Sequence, residues 1–245
     1  METTKSLLQY DTYDESTGTA SVIIVAAGSS TRMGGVSKQL LSVGGIPVIA
    51  RTLLAFQRAA CIKNIVLVAR ECDILDLQKI AEKYMITKLT DIVEGGNCRE
   101  ESVKNGVLRL DKDSKTVLIH DGARPLVTQE VISAVADAAE KFLAATCAVP
   151  VKDTLKVVED GIITDTLERA KIYSAQTPQG FSYPLFKNAI ESIDDLSQFT
   201  DDCAVVESKG TSVHIVLGDY NNIKITTKED VLIAEEIVKR GECDD

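Results

Sequence analysis

Directly after the apolar run Val22-Ile23-Ile24-Val25 the chain reads Ala26-Ala27-Gly28-Ser29-Ser30-Thr31-Arg32-Met33-Gly34-Gly35, with Lys38-Gln39 close behind. A short apolar run closed by small residues is the pattern of a buried parallel strand feeding a tight turn. The loop that follows carries little bulk and two cations, Arg32 and Lys38. Small residues let backbone N–H groups approach an anion closely, and the cations neutralise what amides cannot. That combination suits a polyphosphate. It is neither a Walker A loop, which needs Gly-Lys-Ser/Thr after its second glycine, nor a dinucleotide fingerprint, because Gly28-Ser29-Ser30-Thr31-Arg32-Met33 lacks glycine at its third and sixth positions. On these residues alone an ordinary small, basic strand-to-helix loop stays open.

Other polar clusters recur at segment ends. Gly95-Gly96-Asn97 precedes a helical pattern with Arg99 and Ser102 on its first turn, which could make an anion or base-edge pocket or a plain turn. In His120-Asp121-Gly122-Ala123-Arg124-Pro125, Asp121 could hold a metal or a hydroxyl and Arg124 a phosphate, while His120 reads as a packed strand residue. Lys152-Asp153-Thr154 and Glu168-Arg169 flank a hairpin pattern, Thr200-Asp201-Asp202 reads as a helix cap, and Asn222-Ile223-Lys224 offers one more isolated cation.

The elements that must position these groups alternate from residue 21 onward. Val22–Val25, Asn64–Ala69, Lys88–Val93, Thr116–His120 and Thr146–Val151 are expected as strands. Pro47–Ala60, Asp73–Tyr84, Cys98–Leu110 and Thr128–Phe142 carry helical apolar spacing between them, with Pro47 and Thr128 as punctuation. Strands alternating with helices predict an α/β fold with a doubly wound, mostly parallel sheet and ligands at the carboxyl ends of its strands. The alternation breaks at Thr154–Val158 and Ile162–Thr166, which read as a hairpin about Asp160-Gly161. An isolated hairpin is marginal, so either a partner subunit or the sheet edge must cover it. Beyond it are expected a turn at Thr177-Pro178-Gln179-Gly180, a helix near Pro184–Ile193, a strand at Ser212–Leu217 and a last helix from Lys228 to Arg240.

Composition narrows the class. A chain of 245 residues, 44% hydrophobic and 26% charged, suits one globular domain, read here as residues 21–245 behind a flexible polar tail over 1–20. The tail lacks a signal-peptide core and carries Asp11, Asp14 and Glu15, and the chain has no 18-residue apolar stretch, so a cytoplasmic protein without a membrane span is expected. Six cysteines without C-x-x-C spacing and two histidines argue for reduced thiols rather than a zinc site. The net charge of −10 disfavours nucleic acid and requires the cations for any polyphosphate to be focused at one site.

Together these motifs resemble the bacterial and plastid 2-C-methyl-D-erythritol 4-phosphate cytidylyltransferases, from about Ser21 to the last helix. The resemblance rests on Ala26-Ala27-Gly28, Thr31-Arg32-Met33, Lys38-Gln39, His120–Pro125, Pro150–Thr154, Thr177-Pro178-Gln179 and Asn222-Ile223-Lys224. It implies a Rossmann-like nucleotidyltransferase fold, transfer of CMP from CTP to methylerythritol phosphate with Mg²⁺, and a homodimer joined through a hairpin arm at about 152–173. It further implies that Arg32 and Lys38 grip the CTP phosphates; that Ala27, Gly28, Gly96, Asn97 and Ser102 hold cytosine and ribose; and that Asp121, Arg124, Thr200 and Lys224 cradle the acceptor. Thr154 and Arg169 would reach the neighbouring subunit's site, Arg169 joining Arg32, Lys38 and Lys224 as a catalytic group. Three positions depart from the family's usual residues: Asn97 for aspartate, Ser37 for proline, which should loosen the phosphate loop, and Glu168 for aspartate. A ribitol-phosphate cytidylyltransferase is the nearest alternative, and a nucleotide-binding module without turnover a further one.

Overall fold

The computed structural model describes residues 18–28, 37–111 and 113–241. In chain order the strands are β1 (Ala20–Val25), β2 (Ser42–Val43), β3 (Ile46–Pro47), β4 (Ile62–Ala69), β5 (Leu89–Glu94), β6 (Thr116–Asp121), β7 (Ala144–Pro150), β8 (Lys156–Glu159), β9 (Ile162–Thr166), β10 (Tyr173–Ser182) and β11 (His214–Leu217). The α-helices among the described residues are α1 (Val48–Arg58), α2 (Ile74–Lys83), α3 (Arg99–Val107), α4 (Gln129–Phe142), α5 (Tyr183–Glu191), α6 (Asp202–Glu207) and α7 (Lys228–Lys239). Seven strands form one sheet in the order β11-β7-β10-β6-β1-β4-β5. All neighbours run parallel except β10, which is antiparallel to both β6 and β7.

Side chains alternate across β1, and the two faces fill separate cores. Val22 and Ile24 pack with Leu53, Phe56 and Ile132 from α1 and α4. Ile23 turns the other way to Val103, Val107 and Phe186 from α3 and α5. A third cluster seats α7 through Ala234 and Ile237 against Val43, Leu126 and Ile225. The chain winds outward from β1 through β4 to β5, then crosses back to β6 on the other side of β1. The carboxyl ends of β1 and β6 lie side by side, Val25 opposite Asp121. This is the reversal of strand order at which open α/β sheets leave a crevice for ligands.

Two sequence expectations are corrected. Thr177-Pro178-Gln179-Gly180 is not a turn but lies within β10. The pairing of β10 with β7 shifts between Ala175 and Gln179, so proline, which has no N–H for the ladder, sits at the irregularity while the strand continues past it. The expected helix end at Leu110 lies at Val107. The hairpin β8–β9 is present as a separate two-stranded sheet, not folded onto the edge of the large one. Asp160 and Gly161 both have positive φ, 50° and 81°, as a tight two-residue hairpin turn requires. Val158, Ile162 and Ile163 on it are each more than half exposed. The hairpin at Gly44-Gly45, joining β2 to β3, has no counterpart in the sequence expectations because two-residue strands carry too little pattern.

Candidate active site

Two hollows open at the carboxyl ends of β1 and β6 and share Arg99, Asp121 and Lys224. The first, about 420 Å³, is lined by Ala27, Gly28, Lys38, Gln39, Gly96, Asn97 and Ser102 among others. The second, about 310 Å³, adds Arg124, Gln176, Thr177, Gln179 and Thr200. The residues expected to hold cytosine and ribose line the first hollow, Arg124 and Thr200 line the second, and Asp121 and Lys224 line both. Arg32 lies outside the described residues.

The first hollow is built on close approach. A Cβ on Gly95 would collide with the Cβ of Ala27 and lie 2.9 Å from Ser102 Oγ, so only glycine lets β5 end against the β1 loop. The start of α3 then fixes the turn. Gly96 N–H donates to Ser102 Oγ at 3.0 Å, Asn97 N–H to Glu101 Oε2 at 2.8 Å, and Ser102 Oγ in turn donates to the Cys98 carbonyl at 2.9 Å. The amides of Gly96 and Asn97 are thus committed to the helix cap. What this turn can offer a ligand is carbonyl oxygen and the exposed Asn97 side chain, a set suited to a donor-bearing base edge rather than to an anion. Lys38 opens the single-turn helix Lys38–Leu40, and Gln39, buried beside it, leaves its Oε1 without a hydrogen-bond partner. Ser37, at φ −62°, already has the backbone angle that proline would impose, and its hydroxyl stands 3.5 Å from Asp73.

The second hollow centres on Asp121, buried at the end of β6. Lys224 Nζ is 2.8 Å from its Oδ2, Arg124 Nε 3.4 Å from the same oxygen, and Arg99 Nε 3.4 Å from Oδ1. Burial alone would raise the pKa of this carboxyl, but Lys224, Arg99 and Arg124 together outweigh it and hold it well below the usual carboxylate range. Arg124 also donates to the Asn222 carbonyl at 2.7 Å, which ties it to the loop that carries Lys224. Asn222 donates from its own amide to the Thr177 carbonyl at 2.9 Å, and Gln176 to the Asp219 carbonyl at 2.7 Å.

His120, fully buried, supports this arrangement from behind. Its Nε2 faces the Arg124 carbonyl at 3.1 Å and its Nδ1 the Thr177 hydroxyl at 3.0 Å, while Asp121 N–H donates to the same hydroxyl oxygen at 3.1 Å. A carbonyl can only accept, so Nε2 carries a proton, and burial keeps the ring neutral at neutral pH. Burial lowers its pKa from 6.5 to about 4.

Three residues carry more of the site than their motifs suggested. Arg99 Nη2 donates to the buried Asp202 Oδ2 at 2.7 Å, and burial, which opposes its charge, is outweighed by Asp202 and Asp121, so its pKa is raised. Gln179 Oε1 accepts from the Asp202 and Cys203 amides at 3.0 and 3.3 Å, and its Nε2 donates to Asp201 Oδ2 at 2.9 Å. It thereby fastens the start of α6, and with it Thr200, to β10. Asp201 is the N-cap expected from the sequence, accepting from Ala204 N–H at 3.0 Å. Thr154 and Arg169 line neither hollow. Both are exposed at the base of the hairpin, where Arg169 Nη1 donates to the Lys152 carbonyl at 3.1 Å and Lys152 lies over the Tyr220 ring at 3.8 Å.

The described cysteines are all free, and burial pushes the Cys147 thiol up to about 12. Among the described residues no three metal-ligating side chains gather, and no helix is long and apolar enough to cross a membrane.

The sequence pattern of the family described as IspD, 2-C-methyl-D-erythritol 4-phosphate cytidylyltransferase, matches residues 20–240. The enzyme of that name from Bacillus mycoides is 43% identical over 219 residues, covering 89% of this chain and 96% of the relative. Its namesake from Clostridium novyi is 45% identical over 221 residues, covering 89% and 95%. The crystal structure of 4-diphosphocytidyl-2C-methyl-D-erythritol synthase from Anaerococcus prevotii superposes with a TM-score of 0.82 at 34% identity, covering 93% of this chain and 98% of that one. A family pattern that runs from the first residue of β1 to the end of α7, together with relatives at 43% and 45% identity over most of the chain, places this chain in the 2-C-methyl-D-erythritol 4-phosphate cytidylyltransferase family.

Proposed function

We infer that this chain transfers CMP from CTP to 2-C-methyl-D-erythritol 4-phosphate, giving 4-diphosphocytidyl-2-C-methyl-D-erythritol and pyrophosphate. The observation that carries this reading is the pair of hollows meeting at Asp121 and Lys224, one with the small-residue β1 loop and Lys38, the other with Arg124 and Thr200. A phosphate oxygen of the acceptor attacks the α-phosphorus of CTP, and the bond to the oxygen bridging the α- and β-phosphates breaks as pyrophosphate leaves. A phosphate monoester with a second pKa of about 6 is already mostly a dianion at neutral pH, so no general base is required. That agrees with a site whose one buried histidine is neutral and turned away into hydrogen bonds.

The protein's work is then placement and charge neutralisation. Lys38, with Arg32 from the same loop, lies along the triphosphate. Ala27, Gly28, Gly96, Asn97 and Ser102 surround cytosine and ribose, and the exocyclic amine of cytosine, a donor, meets the carbonyl-rich turn at Gly96-Asn97. Arg124 and Lys224 take the acceptor phosphate, while Asp121 and Thr200 face its hydroxyls. Mg²⁺, where present, would be held mainly by the triphosphate oxygens, as this cation usually is, with Asp121 the only carboxylate lining the nucleotide half among the described residues. It would supply further neutralisation of the triphosphate charge.

The same reading takes residues 21–245 as one cytoplasmic cytidylyltransferase domain that works as a homodimer. Its hairpin presents apolar Val158, Ile162 and Ile163 to solvent, and Thr154 and Arg169 stand outside their own chain's hollows, so a second copy would cover the first three and receive the last two. Pyrophosphate release in the presence of CTP and either methylerythritol phosphate or ribitol 5-phosphate tests the reading. Turnover is expected with the former, and a preference for ribitol phosphate would overturn the choice of acceptor.

A further inference from the structure

Asp121 is guarded differently at its two oxygens. Oδ2 faces Lys224 and Arg124, which line the second hollow with side chains 39% and 12% exposed. Oδ1 faces Arg99, whose guanidinium is anchored on a second carboxylate. Arg99 Nη2 is spent on Asp202 at 2.7 Å, Nη1 is buried without a hydrogen-bond partner, and the nearest further carboxylate oxygen, on Glu100, is 4.0 Å away. Asp202 itself is fully buried, with its second oxygen also unpartnered. Arg99 lines both hollows, but its Nε and Nη2 are engaged by Asp121 and Asp202 and its Nη1 is buried, so what it does for the site it does through Asp121.

We propose that Arg99 is a positioning residue: it is the fixed counter-charge that holds the Asp121 carboxylate in place once Lys224 and Arg124 have turned to the acceptor phosphate. This rests on the reading of Asp121, Arg124 and Lys224 as the acceptor half. A dianionic phosphate entering the second hollow competes with Asp121 for both cations that line it, and as they engage it the carboxylate loses the partners on Oδ2. A buried carboxylate without a fixed partner would shift or take up a proton, and its hydrogen bond to the acceptor would be lost. Arg99 cannot follow the phosphate, because Asp202 anchors it from behind and Gln179 fixes the segment that carries Asp202. The anchor also joins α3, which carries Ser102, to α6, which follows Thr200, so both halves of the crevice are referred to one guanidinium.

The test must separate positioning from mere stability. Removing Arg99 alone would orphan a buried carboxylate, whereas Arg99→Met combined with Asp202→Leu removes both buried charges and is expected to fold with a melting temperature close to that of the parent. In that double variant the KM for methylerythritol phosphate should rise about ten-fold or more, the scale of a lost charge-assisted hydrogen bond, while CTP affinity by calorimetry stays within about three-fold. A normal acceptor KM in the folded double variant overturns the proposal. Asp202→Asn keeps an acceptor oxygen for Arg99 but not the charge, so a smaller rise is expected there; a rise larger than in the double variant would assign the effect to α6 and overturns the proposal. Should the double variant not fold, Arg99→Lys keeps the charge but cannot reach Asp121 and Asp202 together, so it no longer holds Asp121 from a fixed anchor and a rise in acceptor KM is expected with CTP affinity kept; an unchanged KM overturns the proposal there too. Asp121→Asn serves as the separate control: if it leaves acceptor KM unchanged, the acceptor reading of this hollow is what has failed.

Discussion

Lys224 Nζ lies 2.8 Å from Asp121 Oδ2, so without an acceptor the cation that phosphate would seek is already engaged by a carboxylate. An incoming phosphate must compete with that pair. It gains from doing so because it brings two negative charges to a group of cations that Asp121 only partly neutralises. The pair keeps the lysine aimed into the crevice, at the seam between the two hollows.

This arrangement predicts how the two anions separate. Arg124→Ala and Lys224→Ala should each raise the KM for methylerythritol phosphate roughly ten-fold or more while leaving CTP affinity within a few-fold, because the two side chains serve different anions. Calorimetric titration with CTP alone decides it. A comparable loss of CTP affinity would put these residues in the nucleotide half.

On the nucleotide side, Lys38→Ala should lower kcat by roughly 10²–10³, the scale for removing one preorganised partner of transition-state charge. Arg32→Ala should do the same if its place in the small-residue loop means what its spacing from Lys38 suggests. Steady-state pyrophosphate release measures both, and near-normal turnover in either variant removes that residue from the mechanism.

The buried histidine predicts a pH limb in stability rather than in chemistry. His120 has a folded-state pKa near 4 against an ordinary 6.5, chiefly because of burial. Between those values the unfolded chain binds a proton that the folded chain refuses. Its contribution is therefore complete above about pH 6.5 and is lost as pH falls toward 4. The chain has two histidines, so the imidazole signals can be followed individually by NMR. The His120 ring should remain neutral at pH 5.5, and a midpoint near 6.5 would contradict its burial and its hydrogen bonds.

Much of this site could be read from the chain because its parts lie where strand runs end. Ala27 and Gly28 close β1, Gly96 and Asn97 follow β5, and Asp121 ends β6, so alternation of strands and helices was enough to bring them to one edge. Arg99, Gln179 and Asp202 were harder, since their roles arise from contacts across as many as 103 residues. One local signal did exist. Arg99 occupies the first position of α3, where the helix dipole disfavours a cation, and Glu100 and Glu101 beside it show the usual preference. A cation placed against that preference needs another partner, and here it has Asp121 and Asp202. Thr177-Pro178-Gln179 misled for a similar reason: proline punctuates a sequence, yet the strand pairing on either side of it overrides the local turn preference.

The last prediction concerns the hairpin. Arg169 lies at its base, exposed, its side chain donating to the Lys152 carbonyl, and it lines neither hollow of its own chain. If it completes the neighbour's site while Lys38 serves its own, Lys38→Ala and Arg169→Ala protomers each carry what the other lacks. Mixed under conditions of subunit exchange, about half of the random two-fold dimers become hybrids. In a hybrid, one site collects both lesions and the other collects none. Activity should then recover to roughly a quarter of the wild-type level per site, far above either parent, when the sites act independently. Hybrids verified by native mass spectrometry but without recovered activity would mean that the hairpin serves its own subunit, or dimerisation alone.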